Sequence, residues 1–519
     1  MSHRANSRND PHMTPLVLGI DVGTSACKSV LMTPDGELVD TVEASYPLST
    51  PRPGWAEQAP ALWWDAVQRS VADMLARTEA GDRVVGIGLS GQMHGLVALD
   101  EADTVLRPAL LWCDQRGAEE SAVLIESLGG TDRLLDYTNN PMLPGFTGSK
   151  LLWLARHEPD VLARTRRFLN PKDFIRLKLT GEYATDVSDA SGTGFFDVRK
   201  RCWSDDLIAR AGLAREIFPT AFESSEPTGG LRADVAQHWG MTPGVPVSAG
   251  GGDSVIQTTS MGVVAPGMTG ITLGTAGIVG GSSNECPDNP GGRLQVSCGN
   301  AADRWHVMGV TLNAGGAFQW LIDALRPLAG DGLDYDRLIE LAASAPVGSE
   351  HLIFAPHLMG ERCPEVAPGA RGAWVGLTRA HDISHMTRSV IEGAIMNMRA
   401  ILDLFEEAGL GTERLRVSGG ATNSPFWLQT LADVTGHPLA TVSGAATGGA
   451  AGAALVAGLG AGFWADIDEA TAHVAELESL LPHAERARRY NEIYPAHKSL
   501  LAQLAPCYQQ LAAIEDRTA

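Results

Sequence analysis

The residues best suited to phosphate chemistry lie in a phrase that the chain contains twice. Segment 19–24 reads GIDVGT and segment 270–275 reads GITLGT, with four of six positions identical. Each copy ends in a Gly-Thr turn, whose backbone N–H groups and hydroxyl can face an anion. We therefore predict two related halves that hold one phosphate chain between them. Because the third position is Asp21 in one copy and Thr272 in the other, only the first copy offers a carboxylate there.

The first copy has the residue types of a metal and phosphate site. Asp21 at a strand end can hold a hydrated Mg²⁺, which binds through one or two carboxylates plus phosphate oxygens. Gly23 permits a tight turn, Thr24 and Ser25 offer hydroxyls, and Lys28 offers a cation. A plain β-hairpin with a turn aspartate is the alternative, and the echo of the phrase favours the phosphate site.

A second acidic candidate follows a run of glycines. Asp253 comes after Gly250–Gly252 and an apolar strand, so its backbone can approach a ligand closely. Near a helix N-terminus, this aspartate can serve as an N-cap as well as a base. Both interpretations can hold together.

The segment 84–95, VVGIGLSGQMHG, contains a literal GxGxxG. A dinucleotide fold needs a helix to open at once and an acid about 20 residues further on. Here residues 96–99 read as another strand, so we reject that interpretation. His94 between glycines can donate to a substrate oxygen, and an ordinary turn histidine is the alternative. The chain also lacks a GxxxxGK[ST] phosphate loop and an HExxH zinc motif.

Composition excludes several function classes. The 519 residues predict two or three domains. Lys and Arg total 40 against 61 Asp and Glu, a net charge of −21 without a basic run, so we expect no nucleic-acid partner. Seven scattered cysteines without a CxxC pair predict reduced thiols and a cytoplasmic location. We expect no membrane span, and we interpret the polar residues 1–13 as a disordered tail.

The elements that position these residues repeat in order. Apolar runs predict strands at 16–22, 26–33 and 38–46, a helix at 57–77 and a buried strand at 84–89. The second half predicts strand–turn–strand at 270–280, a strand at 305–312, helices at 317–325 and 383–410, a strand at 415–418, and helices from about 425 and at 448–459. This order predicts a duplicated βββαβ unit in an α/β protein, divided near 246–265. The small residues of 448–459 would let that helix lie close to a sheet or a nucleotide.

Together these phrases resemble the FGGY family of carbohydrate kinases over about residues 15–505. The resemblance rests on 145–157 (GFTGSKLLWLARH), on 372–377 with 385–386 and 390–392, and on 55–64, 171–173 and 360–362. Within the family, Gln-Met-His-Gly at 92–95 is most similar to the xylulokinases.

The resemblance implies the actin/Hsp70/hexokinase-like ATPase fold, which is ribonuclease H-like, with two duplicated domains and a cleft between them. On that basis we expect an N-terminal domain at 14–250, an ATP-binding domain at 251–485 and a C-terminal helical segment at 486–519. It also implies a homodimer.

The resemblance further implies site roles. Asp253 falls on the family's catalytic base and Asp21 on its Mg²⁺ position. The expected sugar contacts are Met93, His94, Trp112, Asp114, Asp253 and Ser254. The expected ATP-binding residues are Gly23, Thr24, Ser25, Lys28, Gly274, Thr275, Gly419, Gly420, Ala421 and Asn423.

The implied reaction transfers the γ-phosphoryl of ATP to a ketopentose, with O5 of D-xylulose as the expected acceptor. Cys113 and Ser254 stand where the family commonly has Asn, and Cys363 stands where it has Thr. Because Cys113 and Ser254 lie beside expected sugar contacts, the acceptor can also be another sugar or polyol, such as ribulose, a pentitol or gluconate. A non-catalytic sugar or nucleotide sensor is the alternative from another class, and a chaperone ATPase is a third. Retention of both acids disfavours the sensor.

Overall fold

The computed structural model describes residues 14–329, 332–443 and 447–518. The predicted tail at 1–13 lies outside these residues. Among the described residues, no helix combines the length and apolar character needed to cross a membrane.

A mixed β-sheet forms the centre of the N-terminal half. Its first elements are β1 (Leu16–Val22), β2 (Ala26–Met32), β3 (Leu38–Ser45), β4 (Glu57–Gln58), α1 (Pro60–Thr78) and β5 (Val84–Gly91). Strand β1 pairs antiparallel with β2 and parallel with β5. Helix α1 starts at Pro60 and not at Glu57, because proline is favoured in the first helical turn. Its apolar face packs Trp63, Val67 and Val71 into the core.

A long excursion separates β5 from the return of the chain to this sheet. It contains β6 (Val97–Leu99), β7 (Ala109–Leu110), α2 (Ala118–Leu128), α3 (Thr131–Thr138), α4 (Thr147–His157), α5 (Pro159–Arg164), β8 (Arg167–Leu169), α6 (Pro171–Thr180), β9 (Ala184–Asp186), α7 (Val187–Ser191), β10 (Phe196–Asp197), β11 (Cys202–Trp203), α8 (Asp205–Arg210) and β12 (Thr220–Phe222). An aromatic-rich core of its own, including Phe168, Phe195 and Trp203, supports this region.

The chain then completes the first sheet. It does so through β13 (Pro227–Gly230), α9 (Ala233–Trp239), β14 (Pro246–Ser248) and β15 (Gly251–Gly252). The strand order is β13–β14–β5–β1–β2–β3, and β15 pairs with the end of β5.

The C-terminal half repeats this plan around a second sheet. Its elements are α10 (Asp253–Ser260), β16 (Met268–Leu273), β17 (Gly277–Ser283), β18 (Gln295–Cys298), β19 (Trp305–Thr311), α11 (Gly315–Ala329), α12 (Tyr335–Ser344), β20 (Ile353–Ala355), β21 (Ala373–Val375), α13 (Ile383–Glu407), β22 (Arg414–Ser418), α14 (Pro425–Thr435), β23 (Leu439–Val442), α15 (Gly448–Gly460), α16 (Ile467–Thr471), β24 (Glu476–Leu480) and α17 (Ala484–Thr518). The sheet order is β18–β19–β17–β16–β22–β23–β24. Strand β18 is not anticipated from the sequence.

The strand register confirms the predicted duplication. Asp21 on β1 lies opposite Ser90 on the parallel strand β5. Thr272 on β16 lies opposite Ser418 on the parallel strand β22, and their hydroxyls are 2.9 Å apart. The two copies of the repeated phrase therefore occupy equivalent places in two equivalent sheets.

The Ala/Gly-rich helix α15 lies directly on the first sheet. A Cβ added to Gly19 would fall 2.1 Å from the carbonyl oxygen of Ala450, and one added to Gly88 would fall 1.9 Å from that of Ala453. These contacts confirm the predicted close approach to a sheet. A helix inserted between two strands of the second sheet, β23 and β24, therefore packs on the first sheet, and it also packs against α10.

Candidate active site

A cavity of about 300 Å³ opens between the two halves. One wall comes from the N-terminal half, and the start of α10 and the second sheet form the rest. The N-terminal wall consists of Met93, His94, Trp112, Gly145 and Phe146; the other walls consist of Asp253, Ser254, Thr275, Ala276, Ile278, Gln295, Met308, Val310, Leu312, Met359 and Arg362. The volume suits a small polar molecule, and the largely apolar walls leave a few polar groups to orient it.

Asp253 is the first residue of α10, and Gly252 occupies the N-cap position. The N-cap interpretation is therefore wrong for Asp253, although its carboxylate does accept the N–H of Ser254 at 2.7 Å. Gly250 has a φ of +76°, and a Cβ there would lie 2.1 Å from the carbonyl oxygen of Leu89. Glycine is thus required for the chain to press against β5 and aim Asp253 into the cavity.

The environment of Asp253 suits a general base. Burial, together with the nearby negative charge of Asp21, raises the pKa of Asp253 to about 7. A carboxylate with that pKa can hold a proton and release it near neutral pH. The two acids selected from the sequence therefore lie within electrostatic range of each other.

Asp21 lies at the end of β1 with one oxygen unsatisfied. Burial raises its pKa, and the Ser90 hydroxyl and the Lys28 ammonium offset only part of that effect. Lys28 also faces Glu43 at 3.5 Å. The buried Oδ1 of Asp21 accepts no hydrogen bond from any residue that the structure describes.

This orphaned oxygen fits a hydrated Mg²⁺. The ion needs only one or two carboxylates, since phosphate oxygens and water complete its shell. Within residues 14–329, 332–443 and 447–518, no cluster of three or more His, Cys, Asp or Glu side chains could form a closed metal cage.

The first Gly-Thr turn is joined to the cavity wall. The N–H of Gly23 donates to the carbonyl of Ala26 at 3.0 Å, which closes the predicted tight turn. The hydroxyl of Thr24 accepts a hydrogen bond from the Trp112 indole at 2.9 Å, so this side chain is engaged by the protein. Ser25 is exposed beside it. The turn and Trp112 therefore form one connected unit.

The second Gly-Thr turn is docked on the start of α11. The carbonyls of Gly274 and Thr275 accept the N–H groups of Gly315 at 2.9 Å and Gly316 at 3.0 Å. The Thr275 side chain stays exposed on the cavity. The turn is thus held by its carbonyls, which leaves its hydroxyl free to meet a ligand.

The Gly-Gly segment after β22 has two different constraints. Gly419 has a φ of +99°, and a Cβ there would fall 2.4 Å from the carbonyl oxygen of Leu273. A Cβ on Gly420 would meet nothing within 4 Å. Ala421 is buried and Asn423 is exposed. Gly419 is therefore needed by the fold, whereas the bare surface at Gly420 suits a flat ligand.

The structure makes His94 a hydrogen-bond acceptor towards a ligand, whereas the sequence suggested a donor. Its Nδ1 lies 2.6 Å from the carbonyl oxygen of Gly192, and a carbonyl only accepts, so Nδ1 carries the proton. Burial lowers the pKa of His94 to about 3, so the ring is neutral. Nε2 is then an acceptor, and His94 receives a hydrogen bond from a ligand and does not donate one. The ring stacks on Phe146 with centroids 4.3 Å apart.

A buried lysine fixes the His94 segment. The Lys150 ammonium donates to the carbonyl of His94 at 2.7 Å and to that of Gly145 at 2.6 Å. Both acceptors belong to residues that line the cavity. Lys150 therefore ties together two parts of the N-terminal wall.

Asp114 is not among the described residues that line the cavity. Its side chain is fully buried, and its oxygens accept hydrogen bonds from the Arg116 guanidinium at 2.8 and 2.7 Å and from the N–H of Ala56 at 2.7 Å. The sugar contact expected for Asp114 stays a prediction. Cys113 is likewise absent from the described walls, whereas Ser254 lines them.

Two further wall residues were not assigned roles from the sequence. Phe146 and Arg362 both fall in segments that resemble the family, but spacing alone could not show that they face one cavity. Only the approach of the excursion to the second sheet brings them together.

Comparison with known proteins agrees with this geometry. The family model described as "FGGY family of carbohydrate kinases, N-terminal domain" matches residues 16–260, and the corresponding C-terminal model matches 270–461. The chain is 36% identical over 491 residues to the xylulose kinase of Escherichia coli (strain K12), which covers 95% of this chain and 99% of the relative.

Solved structures share the fold across the whole chain. The xyloylose kinase from Brucella ovis superimposes with a TM-score of 0.89 at 34% identity, covering 95% of this chain and 100% of the other. The gluconate kinase from Lactobacillus acidophilus superimposes with a TM-score of 0.91 at 26% identity, covering 96% and 100%. One architecture is therefore found in proteins named for different acceptors.

Proposed function

The chain belongs to the FGGY family of carbohydrate kinases, and from that premise we propose that it phosphorylates D-xylulose at O5 with ATP. The single observation that carries this proposal is one cavity lined by both Asp253 and His94. The pKa of Asp253 is raised, and His94 can accept a hydrogen bond. The full-length similarity to xylulose kinases supports the choice of sugar.

Asp253 acts as the general base in this proposal. Its carboxylate receives the proton of the O5 hydroxyl as that oxygen attacks the γ-phosphorus of ATP, and the bond from phosphorus to the bridging oxygen breaks. ADP leaves with the electron pair of that bond. A positioned base of this kind typically contributes about 10²–10⁴-fold to the rate.

The nucleotide is held by backbone and by Asp21. The turns at Gly23 and Gly274 face the phosphates, Thr275 offers its hydroxyl, and the bare surface at Gly420 receives the rest of the nucleotide. Asp21 would hold Mg²⁺, which neutralises phosphate charge when bound. Its unsatisfied Oδ1 supports that role.

A coupled assay of ADP release tests the proposal. We expect the highest kcat/KM with D-xylulose in a panel that includes D-ribulose, L-ribulose, xylitol, D-arabinitol and gluconate. A polyol or acid that exceeds the ketopentoses by tenfold or more would replace D-xylulose as the substrate. Ser254 on the cavity wall is the observation that favours such a second candidate.

A further inference from the structure

Among the described residues that line the cavity, Arg362 is the one permanent cation, and the proposed reaction gives it no role. Arg362 lies on the wall contributed by the C-terminal half, among apolar side chains such as Met308, Val310 and Leu312. Burial lowers the pKa of its guanidinium, although the group stays charged. No hydrogen bond or ion pair joins the guanidinium to any residue that the structure describes. A largely buried cation without a partner calls for a ligand atom to complete it.

A buried carboxylate fixes the backbone of Arg362. Glu361 accepts the N–H of Arg362 at 2.8 Å and that of Leu312 at 3.1 Å through one oxygen. Its other oxygen accepts the Thr311 hydroxyl at 2.8 Å and the Asn397 amide at 2.7 Å. Glu361 therefore anchors the Arg362 segment to the end of β19 and to α13, and the guanidinium is presented from a rigid base.

Arg362 lines the same cavity as His94 and Asp253. Its charge adds to burial in lowering the pKa of His94. A sugar whose reacting hydroxyl meets Asp253 is therefore enclosed in the same cavity as His94 and Arg362, which can meet its other oxygens.

These two side chains differ in hydrogen-bonding character. Nε2 of His94 accepts, so it matches a hydroxyl, whereas a guanidinium only donates, so it matches an oxygen that only accepts. Trp112, another donor on the walls, already donates to Thr24. Among the described wall residues, Arg362 is thus the donor-only side chain left to meet the ligand.

An open-chain ketose has one oxygen that only accepts, its carbonyl. When O5 is the attacking group it cannot also close a furanose ring onto C2, so the reacting sugar must have a free C2 carbonyl. We propose that Arg362 donates to this C2 carbonyl oxygen and thereby selects ketopentoses over pentitols. In a pentitol, a hydroxyl on a tetrahedral carbon replaces the carbonyl and brings a proton of its own.

The inference rests on the proposed function, and its test separates the two. Binding of D-xylulose and of its reduction products, xylitol and D-arabinitol, is measured by calorimetry, and kcat/KM is measured for each. We expect the native protein to favour the ketose by about 10- to 100-fold, the range of a hydrogen bond to a charged group. Arg362→Met should remove most of that preference, with less than threefold change for the pentitols.

Two further variants keep the test decisive. Arg362→Lys keeps a charge without the planar fork and should retain part of the preference. Arg337→Met removes an exposed arginine, paired with Glu340 on α12, and should change nothing. Thermal unfolding of all three variants reports whether each one folds.

Each remaining outcome has a defined meaning. Equal native binding of ketose and pentitol would overturn the inference. So would an Arg362→Met variant whose kcat falls equally for both sugars while their binding is unchanged, because Arg362 would then act on the phosphoryl group. A native protein that binds ketoses through Arg362 but phosphorylates another compound would contradict the proposed function and would still support the inference about Arg362.

Discussion

Asp21 and Asp253 lie within electrostatic range of each other, and burial together with the negative charge of Asp21 raises the pKa of Asp253. Asp21 is the penultimate residue of strand β1, and Asp253 is the first residue of helix α10. Two partly buried carboxylates near each other are unfavourable unless a proton or a cation intervenes. The site is therefore arranged to receive positive charge.

We expect this arrangement to lower the stability of the metal-free protein as pH rises. A carboxyl whose folded pKa is about 7 and whose unfolded pKa is near 3.8 binds more protons when folded. Its destabilising effect accumulates from about pH 4 to pH 7 and is complete above pH 7. Asp253→Asn should therefore stabilise the protein more at pH 8 than at pH 5, by about 3 kcal/mol.

Thermal or denaturant unfolding in the presence of a chelator measures that difference. Asp65→Asn, at an exposed position of α1, serves as the control and should show no such pH dependence. If Asp253→Asn gave the same change at pH 5 and pH 8, the raised pKa would be contradicted.

The same substitution should nearly abolish phosphoryl transfer. Without a carboxylate to accept the O5 proton, kcat should fall by about 10²–10⁴-fold. ATP binding, followed by calorimetry, should stay within a few-fold because the nucleotide turns are untouched. In the native protein kcat should also fall as Asp253 takes up a proton below about pH 7. Near-normal turnover in Asp253→Asn would reject Asp253 as the base.

Neighbouring glycines after β22 should respond differently to substitution. Gly420→Val places a side chain in open space, so stability should stay unchanged while the KM for ATP rises by tenfold or more. Gly419→Ala forces a Cβ against the Leu273 carbonyl at a positive φ and should lower stability. Steady-state kinetics and thermal unfolding of both variants separate these effects. An unchanged KM for ATP in Gly420→Val would remove Gly420 from the nucleotide surface.

Ser254 and Cys113, which both stand where the family commonly has Asn, should differ in their effect on sugar preference. Ser254 lines the cavity and Cys113 does not, so Ser254→Asn should change the ratio of kcat/KM between sugars by several-fold. Cys113→Asn should leave that ratio within twofold. The sugar panel measures both variants, and a larger effect of Cys113→Asn would mean that the cavity is bounded differently when sugar is bound.

Sequence patterns alone were enough to predict the duplication and to select Asp21 and Asp253. Repeated apolar runs that end in Gly-Thr turns are local features, and local features show directly in a sequence. The predicted long helix at 383–410 is confirmed over Ile383–Glu407. Its end comes earlier because the chain turns at Gly409, where φ is +73°.

Which side chains meet depends on how distant parts of the chain pack together. The Asp114 carboxylate, an expected sugar contact, is bound by the Arg116 guanidinium and the N–H of Ala56. His94 became an acceptor because Gly192, 98 residues further along the chain, fixes its proton on Nδ1. Arg362 lines a ligand cavity because the two halves enclose one space. Such contacts join residues far apart in the chain, and their distances depend on how whole elements pack, which no local pattern encodes.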